Sequence, residues 1–120
     1  MQMEAATAFL LEVKLCLSRG EGTLQFVERE VNLRTLAATG ATVFDVRIMI
    51  QHLRLEQYCQ GPLSDDKGRD MQWWVFGASL SGRAMYLKIA LHKGRVVCLS
   101  CHPAARPLAF PLRTVTSQEG

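Results

Sequence analysis

Between Ala84 and Leu91 the chain alternates: Met85, Leu87, Ile89 and Leu91 fall on one side, and Tyr86, Lys88 and then His92 on the other. A period of two does not match a helix, whose faces repeat near 3.6 residues, so this segment specifies a half-buried strand. His92-Lys93-Gly94 follows as a turn and Arg95–Cys101 as a returning strand, the pattern of a hairpin. Met71–Phe76 is aromatic and β-prone and supplies a third strand, with Ser79–Gly82 as a turn before the hairpin. A sheet with one apolar face must be covered, and the first half of the chain has to provide the cover.

That half carries the helical period. In Ala5–Arg19, Leu10, Val13 and Leu17 recur at three- and four-residue steps, and Gly20 and Gly22 break the pattern. A second helix is expected from Leu24 to Thr39, with Phe26, Val27, Val31, Leu33 and Leu36 as its apolar stripe. Glu28, Arg29, Glu30 and Arg34 form its polar side, and Gly40 stops it. Thr42 opens a third helix with Asp45 three residues on, a capping box that uses Asp. Val46, Met49, Ile50 and Leu53 continue this helix until it fades near Arg54–Gln57. Gly61–Gly68 holds two glycines, a proline and three charges and reads as a solvated loop. Pro103, Pro107 and Pro111 make 103–120 an irregular Pro-rich tail, which Phe110 and Leu112 can pin to the body.

Helices first and strands later predict an α+β fold, with N-terminal helices packed on a C-terminal antiparallel sheet of about three strands. At 120 residues the chain suits one domain, 1–120, with a single modest core. No apolar run approaches the ~20 residues needed to cross a bilayer. Met1-Gln2-Met3-Glu4 has no basic residue, unlike a secretory signal. The expectation is a cytoplasmic protein with no membrane partner, whose four cysteines (16, 59, 98 and 101) are reduced. From Arg83 onward there are six Lys or Arg against one acid, Glu119. That bias permits an anionic partner such as nucleic acid.

Cys98-Leu99-Ser100-Cys101-His102 spells C-x-x-C-H, the string that attaches c-type haem. Here it ends a strand with no export signal. A redox pair would want a strand-to-helix turn, and zinc a second pair of ligands. Small buried residues in a strand are the preferred reading, and no metal or cofactor is expected.

A second constellation depends on register. If His92-Lys93-Gly94 is a three-residue loop, Leu91 pairs with Arg95, Tyr86 faces Ser100, and Lys88 faces Cys98. Met85, Leu87 and Ile89 then lie beside Val97, Leu99 and Cys101. A two-residue loop would bring His102 beside Met85 on the buried face, where an unpartnered imidazole is costly. The three-residue loop gathers a phenol, an ammonium, a hydroxyl and an imidazole on one face. Such a set suits RNA cleavage: a general base takes the 2′-hydroxyl proton, a general acid protonates the leaving oxygen, and a cation steadies the phosphate. His102 is the natural proton carrier, since an unperturbed imidazole titrates near pH 6.5. Arg83, Arg69 and Lys67 are further phosphate candidates, and Trp73-Trp74 can offer a face for stacking on bases. Tyr, Lys and His on an exposed strand face are also common without catalysis.

Several strings resemble the MqsR family of bacterial toxins, within the RelE-like superfamily, over about residues 9–102. They are Phe9-Leu10-Leu11-Glu12-Val13-Lys14, Gly40 with Val43-Phe44-Asp45-Val46, and Leu53 with Glu56-Gln57-Tyr58. Further along come Met71-Gln72-Trp73-Trp74-Val75-Phe76, Gly82 with Met85-Tyr86-Leu87-Lys88-Ile89, and Ser100-Cys101-His102. The resemblance implies a metal-independent endoribonuclease that cleaves mRNA and is neutralised by a cognate antitoxin protein. Matched by position, it implies Tyr58, Gln72, Tyr86 and His102 as site residues, with Trp73 in place of Gln72 if the strand is not shifted by one residue. Cys59 and His102 stand where the family carries lysines. A non-catalytic RNA- or protein-binding module on the same fold is the alternative.

Overall fold

The computed structural model describes residues 2–113. Its elements run α1 (Gln2–Leu17), β1 (Leu24–Phe26), α2 (Glu30–Thr39), α3 (Val43–Gln51), β2 (Tyr58–Ser64), β3 (Gln72–Leu80), β4 (Arg83–His92) and β5 (Arg95–Pro103). The fold is α+β. The sheet has five strands in the order β1-β5-β4-β3-β2, rather than about three, and it is mixed because β1 pairs with β5 in parallel.

The two additional strands occupy segments expected to be helix and loop. Leu24–Phe26 is too short to declare its period, and its pairing with Val96–Cys98 lies far away in sequence. The second helix therefore starts only at Glu30. Tyr58–Ser64 contains Gly61-Pro62 yet forms an edge strand, where a proline is tolerated because its missing N–H need not meet a partner. Elsewhere local chemistry held. Thr42 N–H donates to Asp45 Oδ2 at 2.8 Å and Asp45 N–H to Thr42 Oγ1 at 3.3 Å, closing the capping box. Gly40 ends α2 in the left-handed conformation, φ 74°.

One face of the sheet is covered by helices. Phe9, Leu10, Val13 and Leu17 of α1 and Val46 and Ile50 of α3 join Trp74, Phe76, Met85, Leu87, Ile89 and Cys98 in the main core. Phe9 stacks on Trp74 at 4.6 Å. The other face is open and carries a smaller cluster of Trp73, Ala90 and Val97. No described helix is long and apolar enough to cross a membrane.

The β4–β5 hairpin turns on two residues, Lys93 (φ 50°) and Gly94 (φ 76°), so His92 pairs with Arg95 and the three-residue loop is corrected. Such turns need positive φ at both central residues. The ladder stays regular to Ile89↔Cys98 and then slips by one residue, giving Lys88↔Ser100, Leu87↔Cys101 and Tyr86↔His102. The slip is a β-bulge at Leu99. Because strand faces alternate, one extra residue exchanges the faces of everything beyond it. The bulge returns Cys101 to the core and turns Ser100 and His102 outward.

Two side chains hold the bulge. Asn32, fully buried in α2, donates through Nδ2 to Val27 O and Leu99 O, both at 2.9 Å. Its Oδ1 accepts from Cys101 N–H at 3.0 Å. Arg29 Nη1 adds bonds to Leu99 O at 3.2 Å and Ser100 Oγ at 2.8 Å. The backbone groups that the bulge takes out of the ladder thus have partners.

Beyond Pro103 the chain folds back over the open face, and residues 114–120 of the predicted tail lie outside the described residues. The fold-back packs closely over Gly77. A Cβ there would stand 2.7 Å from both Leu108 and Phe110. Arg113 covers the Phe110 ring at 4.0 Å, and Leu112 packs against the main core. Replacing Gly77 by alanine is expected to lift the tail, at an overpacking cost of about 1–3 kcal/mol. Chymotryptic cleavage after Leu108, which is followed by alanine rather than proline, should then accelerate, and an unchanged cleavage rate would count against this packing.

Candidate active site

The open face holds a cleft of about 630 Å³ between the 65–69 loop and the outward side chains of β4 and β5. Tyr86, Lys88, Ser100 and His102 all line it. Tyr86 and His102 are direct cross-strand partners, and their rings stack with centroids 5.4 Å apart and planes 22° apart. Lys88 and Ser100 form the adjacent pair.

His102 is oriented by its own backbone. Nδ1 lies 3.0 Å from Pro103 O. A carbonyl can only accept, so Nδ1 carries a proton, and the tautomer this selects presents Nε2 as the acceptor. Burial pushes the Tyr86 phenol up from its ordinary value, and the neighbouring Cys59 adds to the shift. Tyr86 is therefore a protonated donor at neutral pH. One ring can take a proton and the other can give one.

The loop wall is organised by Asp65. Its carboxylate accepts from the Arg69 guanidinium through Nε and Nη2, both at 2.9 Å, and from Trp73 Nε1 at 3.0 Å. The backbone N–H groups of Lys67 and Arg69 also donate to it, at 3.0 and 3.1 Å. The Arg69 bond, followed by the Trp73 bond, holds the Asp65 carboxyl well below the usual aspartate range. Arg69 thus lines the cleft already engaged by a carboxylate, and Lys67 lines it alongside. A carboxyl depressed on folding stabilises the native state above the ordinary aspartate value of about 3.9, and this contribution is lost as pH falls below it. Asp65→Asn should therefore unfold more easily than the parent near neutral pH, with the gap narrowing below about pH 4. A gap independent of pH in thermal melts would refute the assignment.

Other predicted positions lie elsewhere. Tyr58 is fully buried, packs against Trp74 and Phe76, and donates its hydroxyl to Gly61 O at 2.6 Å. Gln72 borders a hollow on the helix side with Phe9 and Trp74. Arg83 begins β4 on the parity of Met85 and is not among the cleft residues. Trp73 does border the cleft, but it is 2% exposed with its indole N–H committed to Asp65.

Besides Asp65 and Asp66, Arg29 is a charged cleft residue that sequence reasoning missed. It had read as the polar side of a helix. The strand at Leu24–Phe26 instead makes it the residue before α2, laid across β5. Only the pairing of β1 with β5 puts it there, and no local pattern signals that pairing.

The C-x-x-C-H string does not form one site. Cys98 and Cys101 are buried on the helix side of the sheet, while His102 lines the cleft on the other face. Burial pushes the Cys101 thiol up to about 11 and that of Cys98 higher still, so neither is poised as a thiolate. Among the described residues no three His, Cys, Asp or Glu side chains gather as a metal-holding group. No family model, curated protein or solved structure matches the chain, so the site must be read from its own residues.

Proposed function

We propose that the open face binds single-stranded RNA and cleaves it without a metal ion, with His102 as general base. The observation that carries this reading is the stacked Tyr86–His102 pair beside Lys88, with Nδ1 of the imidazole held by Pro103 O. In the proposed step Nε2 of His102 takes the proton of a ribose 2′-hydroxyl. The 2′-oxygen attacks the adjacent phosphorus, the bond to the 5′-oxygen breaks, and the Tyr86 phenol protonates that leaving oxygen. The products are a 2′,3′-cyclic phosphate and a free 5′-hydroxyl. Lys88 and Arg29 meet the charge that builds on the phosphate oxygens.

The resemblance to MqsR toxins supports the same chemistry. On that reading the fold is RelE-like, and the protein acts on mRNA in the cytoplasm until a cognate antitoxin protein neutralises it. A second reading is a module of this fold that binds RNA or protein without cutting. The burial of Tyr58 favours it, because a position the resemblance gives to the site is spent on packing.

Incubating purified protein with single-stranded RNA in excess EDTA separates the two. Fragments ending in 2′,3′-cyclic phosphate, with the equivalent DNA uncut, are the expected result. Binding with no cleavage would favour the module.

A further inference from the structure

The Tyr86–His102 pair is a partition as well as a wall of the cleft. Behind it lies a second hollow of about 260 Å³, roofed by the returning tail through Ala104, Ala105, Pro107 and Leu108, with Arg106 also on its lining. The two hollows differ in chemistry. The cleft presents Arg29, Lys67, Arg69 and Lys88 against Asp65, which is paired with Arg69, and Asp66, whereas the pocket is lined mainly by methyl, methylene and ring surfaces. Tyr86 and His102 are the two residues that border both.

We infer that this apolar pocket is the seat of a nucleobase flanking the scissile phosphate, so the tail helps to bind the substrate. The inference rests on the RNA reading of the cleft and extends it from the backbone to the bases. A nucleotide has the matching asymmetry, an anionic phosphate and a flat, largely apolar base one ribose away. With the phosphate beside Lys88, the base has an apolar cavity within one residue's reach, across a pair of aromatic rings. Base–aromatic contact is tolerant of sequence, because every base has a π face. Gly77 gives room for the Leu108 side chain to come down onto the sheet beside the pocket.

The test compares two labelled octamers by fluorescence anisotropy, both 2′-O-methylated so that neither can be cleaved: a mixed-sequence RNA, and an all-abasic ribose-phosphate chain of the same length. The parent protein should bind the RNA at least about tenfold more tightly than the abasic chain, the scale of a stacked base. Ala105 is exposed, so Ala105→Trp can fill the pocket without entering the core, and it should reduce that ratio to below about threefold. Ala105→Leu serves as a smaller filler if the tryptophan disturbs folding, as judged by circular dichroism. Equal binding of the two octamers by the parent would overturn the pocket and leave the RNA reading standing. A ratio that survives both fillers would place the base contact elsewhere and also overturn it. Failure to bind either octamer would remove the RNA reading, and the pocket with it.

Discussion

Asn32→Ala is expected to destabilise the protein by about 2–3 kcal/mol, a large share of what a domain this size has to lose. The substitution strips a buried donor from Val27 O and Leu99 O and a buried acceptor from Cys101 N–H. Only Cys101 N–H is left unpaired, at about 1–3 kcal/mol, because Leu99 O retains the Arg29 guanidinium and Val27 O retains Arg29 N–H at 2.9 Å; the emptied buried side-chain site adds to the cost. The midpoint of thermal unfolding should fall by roughly 8–15 °C. Asn32→Asp gives the internal comparison: it keeps the acceptor for Cys101 N–H and loses both donors. A urea titration showing less than about 1 kcal/mol for the alanine variant would mean that the bulge stands without its clamp.

The second large effect concerns chemistry. His102→Ala should reduce RNA cleavage by about 10²–10⁴-fold, the usual contribution of a positioned proton carrier. His102 is only partly buried and its Nδ1 bond is local, so stability should change little. Tyr86→Phe probes the other half of the step. It retains the ring that stacks on His102 and removes only the proton, so substrate affinity should hold while turnover drops. Folded variants that cleave as fast as the parent would dismiss both assignments. Induction in a bacterial host gives a physiological counterpart, with growth arrest and RNA fragmentation expected for the parent and absent for His102→Ala.

Parts of this molecule were legible in sequence because the relevant forces are local. The alternation from Met85 to Leu91 marked β4 and placed Tyr86 and Lys88 together. Thr42 and Asp45 announced the start of α3. The grouping of Tyr86, Lys88, Ser100 and His102 on one face was also reached, but by a different route. A three-residue loop shifts the ladder by the same parity as a two-residue loop followed by a bulge. Hydrophobic alternation reports parity and cannot tell these routes apart, so the partners came out two residues displaced. Nothing local revealed Arg29 or Asn32 as parts of the site. Both look like the solvated side of a helix until Leu24–Phe26 is drawn onto the edge of β5. Tyr58 shows the opposite limit, since a phenol that the resemblance places in the site carries no mark in sequence of its complete burial.

That edge strand also bears on how the molecule assembles. Every other neighbouring pair in the sheet joins strands that follow one another directly in the chain, whereas Leu24 meets Val96 across some 70 residues. Closing so large a loop is entropically unfavourable until β5 offers a finished edge. Docking of β1 is therefore expected late, after the barrier, and it brings Arg29 and Asn32 with it. Substitutions in Leu24–Phe26 should speed unfolding and barely slow folding. A chain paused before that last event would hold β2 to β5 but lack the guanidinium over Ser100, so the competence of the cleft becomes a property of the final folding step.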